Sequence, residues 1–172
     1  MPELDIRPDQ SIELLKALHI LTRDGKMNQD SRRKLKQVYH LLQFIEPLLQ
    51  QLAQDGHSVS LVDHGAGKSY LGFMLYDLFF KQRNDESHIY SIETRPELVD
   101  RAKQLANTLA FDRMSFLPLS VAESMNSPLL PTTIDMVTAL HACDTATDDA
   151  ITFALKKQAR YIVLVPCCQA EL

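Results

Sequence analysis

The sequence is poor in cysteine, lacks tryptophan and contains no long apolar run. Its three cysteines are Cys143, Cys167 and Cys168, and none forms a C-x-x-C spacing. A disulfide framework is therefore not expected, and the pattern favours a reducing, cytoplasmic location. The polar N-terminus, MPELDIRPDQ, is unlike a signal peptide, and no apolar stretch reaches the length that crosses a bilayer. We therefore expect no membrane partner.

An excess of positive charge is also lacking. The chain carries 18 Lys and Arg against 22 Asp and Glu, a formal net charge of −4. This balance excludes nucleic-acid binding through overall charge but leaves room for a local basic patch. One such patch, Arg32, Arg33, Lys34 and Lys36, could contact RNA phosphates or form an ordinary solvated helix face. It has no interleaved aromatic residues, which argues against stacking on single-stranded bases.

Helical spacing dominates the first third of the chain. The pattern predicts a short helix over Ser11–His19 and a long one from Ser31, which Pro47 should kink or divide and Gly56 should end. We expect residues 1–56 to form a helical segment packed on a core of residues 57–172. At 172 residues, the chain fits one domain better than two.

Short apolar strands alternate with helices after residue 57. Such alternation predicts a parallel sheet covered on both faces, that is, a doubly wound α/β fold, with ligands beyond the carboxyl ends of its strands. The expected strands are residues 58–63, 88–93, 114–120, 134–142 and 161–166, and the expected helices are residues 69–80, 96–110 and 145–159.

A glycine loop, DHGAGKS, lies between the first expected strand and the following helix. Glycine allows a tight turn and a close approach of ligand to backbone N–H groups at a helix start. A nucleotide P-loop would need glycine at the position of Val62, inside the strand. A dinucleotide loop matches at Gly65 and Gly67, but Tyr70 stands at the third glycine position, so that match is incomplete.

S-adenosylmethionine fits the loop better, because Asp63 supplies an acidic residue at the end of the first strand. That carboxylate can meet the cofactor's ammonium group, directly or through water. Glu93 ends the second strand and can accept hydrogen bonds from ribose hydroxyls. The alternative is structural: Asp63 caps the helix, and Glu93 is a solvated strand end.

Four segments together resemble one family. LVDHGAGKSYL, IYSIETRPELVDRAKQLA, ALHACDTATDDA and YIVLVPCCQ look like successive motifs of a class I methyltransferase-domain family. That family includes methyltransferase-like proteins, domains attached to glutathione-transferase-like C-terminal proteins and, more distantly, tRNA ribose 2′-O-methyltransferases. The resemblance covers residues 31–169 and implies a Rossmann-like fold that uses S-adenosylmethionine.

The resemblance also implies roles for particular residues. Cofactor binding falls to the two carboxylates and the loop, and we extend the set to their neighbours. The full expected set is Asp63, Gly65, Ala66, Gly67, Lys68, Glu93, Thr94, Ser120, Val121 and His141. His141, Cys143, Thr147 and Asp148 would line the active-site side of the cleft. His141 could act as a base near neutral pH, with Asp148 as its catalytic companion.

The cysteines invite a zinc hypothesis, but adjacent Cys167 and Cys168 are poor partners on one metal that needs four ligands. We therefore expect no metal and treat Cys143 as a small buried residue.

The sequence departs from the family at two positions, where Ser69 and Asp144 replace glycine. It also stops at Leu172, before the further helix and antiparallel strand pair of a complete class I fold, so we expect a C-terminally incomplete sheet.

The leading expectation is a methyltransferase core with RNA as one candidate acceptor. Two alternatives stay open: a non-catalytic or truncated cofactor-binding module, and a NAD-dependent oxidoreductase.

Overall fold

The computed structural model of the protein describes residues 6–140 and 145–165. Five strands form its sheet: β1 (Ser60–His64), β2 (His88–Ile92), β3 (Met114–Leu117), β4 (Met136–Leu140) and β5 (Tyr161–Val165). The α-helices are α1 (Ile12–Ala17), α2 (Gln29–Leu52), α3 (Tyr70–Leu78), α4 (Pro96–Thr108), α5 (Val121–Ser124) and α6 (Thr145–Lys156). Single 3₁₀ turns follow α2 and α3, at Gln54–Gly56 and Phe80–Gln82.

The described strands run parallel in the order β3-β2-β1-β4-β5. The prediction of a doubly wound α/β sheet is therefore confirmed. Strand order reverses between β1 and β4, where the connections leave toward opposite edges. In open α/β sheets, ligands bind beyond the carboxyl ends of the strands at such a reversal. The glycine loop leaves β1 at this point.

Both faces of the sheet are covered by apolar packing. Leu61, Ile89 and Met136 belong to a core shared with α1, α2, α3 and α4. Val62 and Val137 belong to a second core with Phe153 of α6. Successive strand residues point to opposite faces, so neighbouring positions enter different cores and the strand sequences read as continuous apolar runs.

Helix α2 differs from its expected form. It runs unbroken from Gln29 to Leu52 with Pro47 inside it, so of the two expected effects, a kink or a division, the proline does not produce the division. Pro47 is exposed, and Leu42, Ile45 and Leu49 around it are buried. Packing of the apolar stripe therefore stabilises the helix across the missing N–H. The Asn28 side chain caps its first turn by accepting from the N–H of Ser31 at 2.8 Å.

Helix α1 packs against α3 through polar contacts at both ends. The hydroxyl of Tyr70 donates to the carbonyl of Leu18 at 2.6 Å, and the N–H of Ser11 donates to the buried carboxylate of Asp77 at 2.7 Å. These bonds fix α1 antiparallel to α3 and bring its C-terminal end to the level of the glycine loop. None of the helices in residues 6–140 and 145–165 is both long enough and apolar enough to cross a membrane.

Gly72 sets the close approach of α3 to the sheet. A Cβ added there would lie 3.3 Å from Oγ of Ser91 on β2 and 3.5 Å from Cε of Met114 on β3. Glycine in a helix interior costs about 1 kcal/mol relative to alanine, so its presence reflects this packing need. The start of α3 is thereby held against β2.

The polar segment between α3 and β2 is held by Arg113. Its guanidinium donates to four backbone carbonyls, those of Phe80, Arg83, Asp85 and Ser87, at 2.6 to 3.2 Å. This one side chain satisfies the backbone of a loop that lacks ladder partners of its own.

Candidate functional site

The glycine loop turns sharply between β1 and α3. Gly65 and Gly67 have φ of 62° and 56°, in the left-handed region that glycine enters without steric cost. The N–H of Ala66 donates to the carbonyl of Ile92 at 3.0 Å, which ties the loop to the end of β2. The loop therefore lies between the carboxyl ends of two neighbouring strands, as its sequence position predicts.

Ser69 occupies the family's glycine position in a glycine-like conformation. It precedes α3 with φ 56° and ψ 31°, and it is buried. A non-glycine residue in this region is strained, by about 1–2 kcal/mol. This left-handed conformation explains why glycine would suit the position, as the family resemblance implies.

Glu93 lies directly after β2 and accepts several hydrogen bonds. Its carboxylate accepts from the N–H of Gly67 at 2.8 Å, from the N–H of Arg95 at 3.1 Å, and from the Arg95 guanidinium at 2.8 and 3.1 Å. The bonds from Arg95 and Gly67 lower the pKa of Glu93 to about 2, against the opposing effect of burial. Only 7% of its surface is exposed, so Glu93 is not a solvated strand end. It is an ionised carboxylate attached to the glycine loop.

Arg95 covers this carboxylate from the solvent side. Its side chain is 59% exposed, and one guanidinium nitrogen lies 3.8 Å from where a Cβ on Gly67 would stand. Arg95 is the exposed partner of this pair, so its guanidinium can be hydrated again if a ligand displaces it from Glu93. A hydroxyl donor can then take its place on Glu93. Arg95 lies in the segment IYSIETRPELVDRAKQLA but is not among the residues expected to bind the cofactor; its position two residues after the acidic strand end was the available signal.

Asp63, near the end of β1, is buried and has fewer hydrogen-bond donors around it than Glu93 has. It is 3% exposed and accepts from Oγ1 of Thr138 at 2.7 Å. Desolvation raises its pKa to about 7, although the Thr138 bond opposes the shift. Asp63 therefore bonds across the sheet, to its direct neighbour in the β1–β4 register, in contrast to a simple helix cap. Thr138 carries no signal in the sequence, because the pairing of β1 with β4 is a tertiary feature.

His64 is a further buried polar residue at the end of β1. Its Nε2 lies 3.4 Å from Oγ of Ser124, and its ring packs edge-on against Phe153 at 4.4 Å between centroids. Nδ1 has no partner within the described part of the chain. Burial lowers the pKa of His64 to about 4, so the ring is neutral at physiological pH.

The remaining expected residues are distributed around this edge of the sheet. Lys68 and Thr94 are exposed, and Thr94 Oγ1 lies 3.4 Å from Glu93 Oε1. Ser120 is the N-cap of α5, closing a capping box with Glu123, and Val121 is the first residue of that helix. The expected third strand therefore ends early, at Leu117; the S-x-x-E spacing of residues 120–123 was the sequence signal for α5.

Among the expected catalytic residues, Asp148 lies exposed in the first turn of α6. His141 and Cys143 fall in residues 141–144, and Cys167 and Cys168 fall in residues 166–172, all outside the described residues. Within the described ranges, no group of three or more His, Cys, Asp or Glu side chains could hold a metal ion.

A parallel sheet has a glycine loop after its central strand, a buried carboxylate near the end of that strand and another directly after the neighbouring strand. This arrangement defines a Rossmann-like fold. The sequence comparison specifies the class further. The family described as "Methyltransferase domain" matches residues 33–172, and the chain belongs to it. This confirms the resemblance to a methyltransferase-domain family that the motifs indicated.

Solved structures of methyltransferases share the fold. Magnesium protoporphyrin IX methyltransferase from Synechocystis PCC 6803, solved with bound SAH, is 18% identical over 87% of this chain and 65% of its own, with a TM-score of 0.52. A SAM-dependent methyltransferase from Aquifex aeolicus is 18% identical over 73% of this chain and 66% of its own, with a TM-score of 0.50. At these identities, the likeness concerns the fold.

The chain is short relative to some of the proteins that it matches. It spans 21% of the bifunctional kinase-methyltransferase WbdD, with 16% identity over 59% of this chain and a TM-score of 0.47. No curated protein matches the sequence.

Proposed function

We propose that this chain binds S-adenosylmethionine and forms the cofactor-binding core of a methyltransferase. The observation that carries the proposal is the pair of buried carboxylates at the ends of two adjacent parallel strands: Asp63 is the penultimate residue of β1, Glu93 directly follows β2, and the glycine loop contacts Glu93. The family membership and the fold of SAM-dependent methyltransferases support the same conclusion. The remaining question is whether each carboxylate has the character that its role requires.

Glu93 fits the ribose. A ribose diol presents two hydroxyl donors, and Glu93 is an ionised acceptor whose two oxygens already hold donors. The bond from Gly67 can persist while Arg95, the exposed donor, leaves. Binding would therefore exchange one set of donors for another, without leaving a charge bare in a buried site.

Asp63 fits the ammonium group of the cofactor. With a pKa of about 7, it holds a proton for part of the time in the free protein. A cation beside it favours the ionised form, so cofactor binding should release a proton near neutral pH. We expect affinity to rise as the pH rises through about 7, because more of the free protein then carries the carboxylate that the ammonium needs.

The oxidoreductase alternative receives less support. A dinucleotide has no ammonium group to meet Asp63. The third glycine position of a dinucleotide loop is Tyr70, whose ring stands at the start of α3 with its hydroxyl bonded to Leu18. The close contact between helix and sheet is made two residues later, at Gly72, outside the spacing of the dinucleotide fingerprint.

The cofactor supplies a methyl group on a sulfonium. Its transfer to a nucleophile is an in-line displacement, and holding the two reactants in line can provide much of the rate enhancement.

We propose RNA as the acceptor, with Arg32, Arg33, Lys34 and Lys36 as phosphate contacts. All four are exposed in the first turns of α2. His141 as a base, with Asp148 beside it, stays a prediction for the catalytic side of the cleft.

Calorimetry with S-adenosylhomocysteine tests cofactor binding. We expect the wild-type chain to bind, and Glu93→Gln to weaken binding roughly tenfold or more, since a hydrogen bond to a charged group contributes about 1.5–3 kcal/mol. Glu97→Gln is the matched control, because it removes an exposed carboxylate from the first turn of α4. Absence of binding by the folded protein, or tighter binding of NAD, would contradict the proposal.

Methyl transfer needs its own assay. The chain is incubated with radiolabelled S-adenosylmethionine and with separated pools of cellular RNA and protein. Label in the RNA pool supports the proposed acceptor, and label in the protein pool refutes it. Cofactor binding without label in either pool would favour the non-catalytic module.

A further inference from the structure

A small cavity lies beside the glycine loop, between α1, α3 and α4. Its volume is about 230 Å³, and Lys68 of the loop is one of its lining residues. Phe73 and Ala102, both buried, contribute to its apolar floor, with Leu98 and Leu105 beside them. The cavity can therefore accept a small group with an apolar part.

Basic side chains surround this cavity. His19 comes from the end of α1, Lys68 from the loop and Arg101 from α4, and all three are exposed. Among the described residues, none of those that line the cavity is acidic. Within residues 6–140 and 145–165, none of the three forms an ion pair, whereas Glu93 and Arg95 nearby are paired with each other. Two cations without an ion pair among the described residues, Lys68 and Arg101, lie beside the imidazole of His19, which can donate a hydrogen bond, and together they favour an anion.

The basic patch on α2 adjoins the same end of α1. Oγ of Ser31 donates to the backbone carbonyl of His19 at 3.2 Å, so the first turn of α2 contacts the residue that borders the cavity. Arg32 and Arg33 follow Ser31 directly and are exposed. Cations therefore continue from the cavity to the start of α2, although the chain as a whole carries a net charge of −4.

This continuity distinguishes between two kinds of ligand. A single anionic small molecule would use only the cavity, whereas a polymer of phosphates needs basic groups at intervals along a surface. Two aromatic residues line the cavity: Phe73 is fully buried, and Tyr70 is half-buried with its hydroxyl bonded to the carbonyl of Leu18. Neither ring is fully exposed as a stacking platform, so we expect backbone contacts to dominate over base stacking.

We propose that the cavity binds a phosphate of an RNA strand, held by His19, Lys68 and Arg101, while the strand continues over the basic start of α2. The apolar floor would pack against the attached sugar. The cavity borders the loop that we assign to the cofactor, so the strand would run beside the site of methyl transfer. This inference rests on the proposed RNA acceptor and assigns it a binding path.

Fluorescence anisotropy with a labelled single-stranded RNA of about 20 nucleotides, measured over a series of salt concentrations, tests the path. Arg101→Gln should weaken binding roughly threefold to tenfold and reduce the slope of log K against log salt by about 0.7, the value for one phosphate contact on a single strand. Lys103→Gln is the matched control, because it also removes one exposed positive charge from α4 and lies outside the cavity lining. It should change binding less than twofold.

Three outcomes would overturn the proposal: no RNA binding by the wild-type chain, equal effects of the two variants, or Arg101-dependent binding of uridine 5′-monophosphate as tight as that of the RNA. The last result would indicate a mononucleotide site. Titration of both variants with S-adenosylhomocysteine separates this inference from the proposed function. Arg101→Gln should bind the cofactor like wild type, so a failure of cofactor binding and a failure of the RNA path give different results.

Discussion

Replacing Asp63 with asparagine should change the pH dependence of stability. Burial raises the pKa of Asp63 from 3.8 to about 7, so the folded protein retains a proton that the unfolded chain has already released. The stability that comes from the protonated acid is complete below about pH 4 and is lost as the pH rises through about 7. The two pKa values differ by about three units, each equivalent to about 1.4 kcal/mol, so the full loss is about 4 kcal/mol.

His64 conceals this effect in the wild-type protein. Burial lowers its pKa from 6.5 to about 4, so the unfolded chain binds a proton over this range and the folded protein does not. The contribution of the neutral His64 ring to the free energy of unfolding is complete above about pH 6.5 and is lost as the pH falls through about 4. Over much of the same range, the two residues act in opposite directions. The informative quantity is therefore the difference between Asp63→Asn and wild type at each pH.

Urea unfolding from about pH 5 to about pH 8 measures that difference. Asparagine keeps an acceptor for Thr138 but cannot ionise. The free energy of unfolding of Asp63→Asn should therefore rise relative to wild type by about 2–3 kcal/mol across this interval and level off above about pH 8. The exposed Asp112 provides the control: Asp112→Asn should show no such trend. A constant difference between Asp63→Asn and wild type from pH 5 to 8 would refute the reasoning.

Three further substitutions test the packing that positions the site. Gly72→Val should destabilise the protein by about 1–3 kcal/mol in thermal unfolding, because its side chain would enter the 3.3 Å contact with Ser91; an unchanged melting temperature would contradict that contact. Arg113→Met should cost about 2 kcal/mol or more in urea unfolding, since it removes four bonds to backbone carbonyls, and a neutral result would show that water replaces them freely. Pro47→Ala should stabilise α2 by about 1–3 kcal/mol in the same assay by restoring the missing N–H; destabilisation would mean that the proline shapes the helix to fit the core.

Local patterns in the sequence predicted most of the architecture. The alternation of apolar runs with helical spacing predicted all five strands and their parallel arrangement, and D-x-G-x-G marked the turn after β1. Strands buried on both faces and loops that need positive φ leave a residue-level signature, because burial and backbone geometry restrict the choice of amino acid at each position. The positions of Asp63 and Glu93 at the ends of two apolar runs likewise predicted that both carboxylates lie at strand ends.

The charge states of those carboxylates depended on tertiary structure. Glu93 is ionised because Gly67 and Arg95 surround it with donors, whereas Asp63 is close to neutral because packing removes it from water and Thr138 of β4 is its one hydrogen-bond partner among the described residues. The convergence of His19, Lys68 and Arg101 is also a product of the fold, since they lie on three separate elements. Residue identity alone determines which groups can ionise and where they fall along the chain. Their pKa values and their neighbours depend on solvent exclusion and on contacts between distant segments, and only the folded chain creates these.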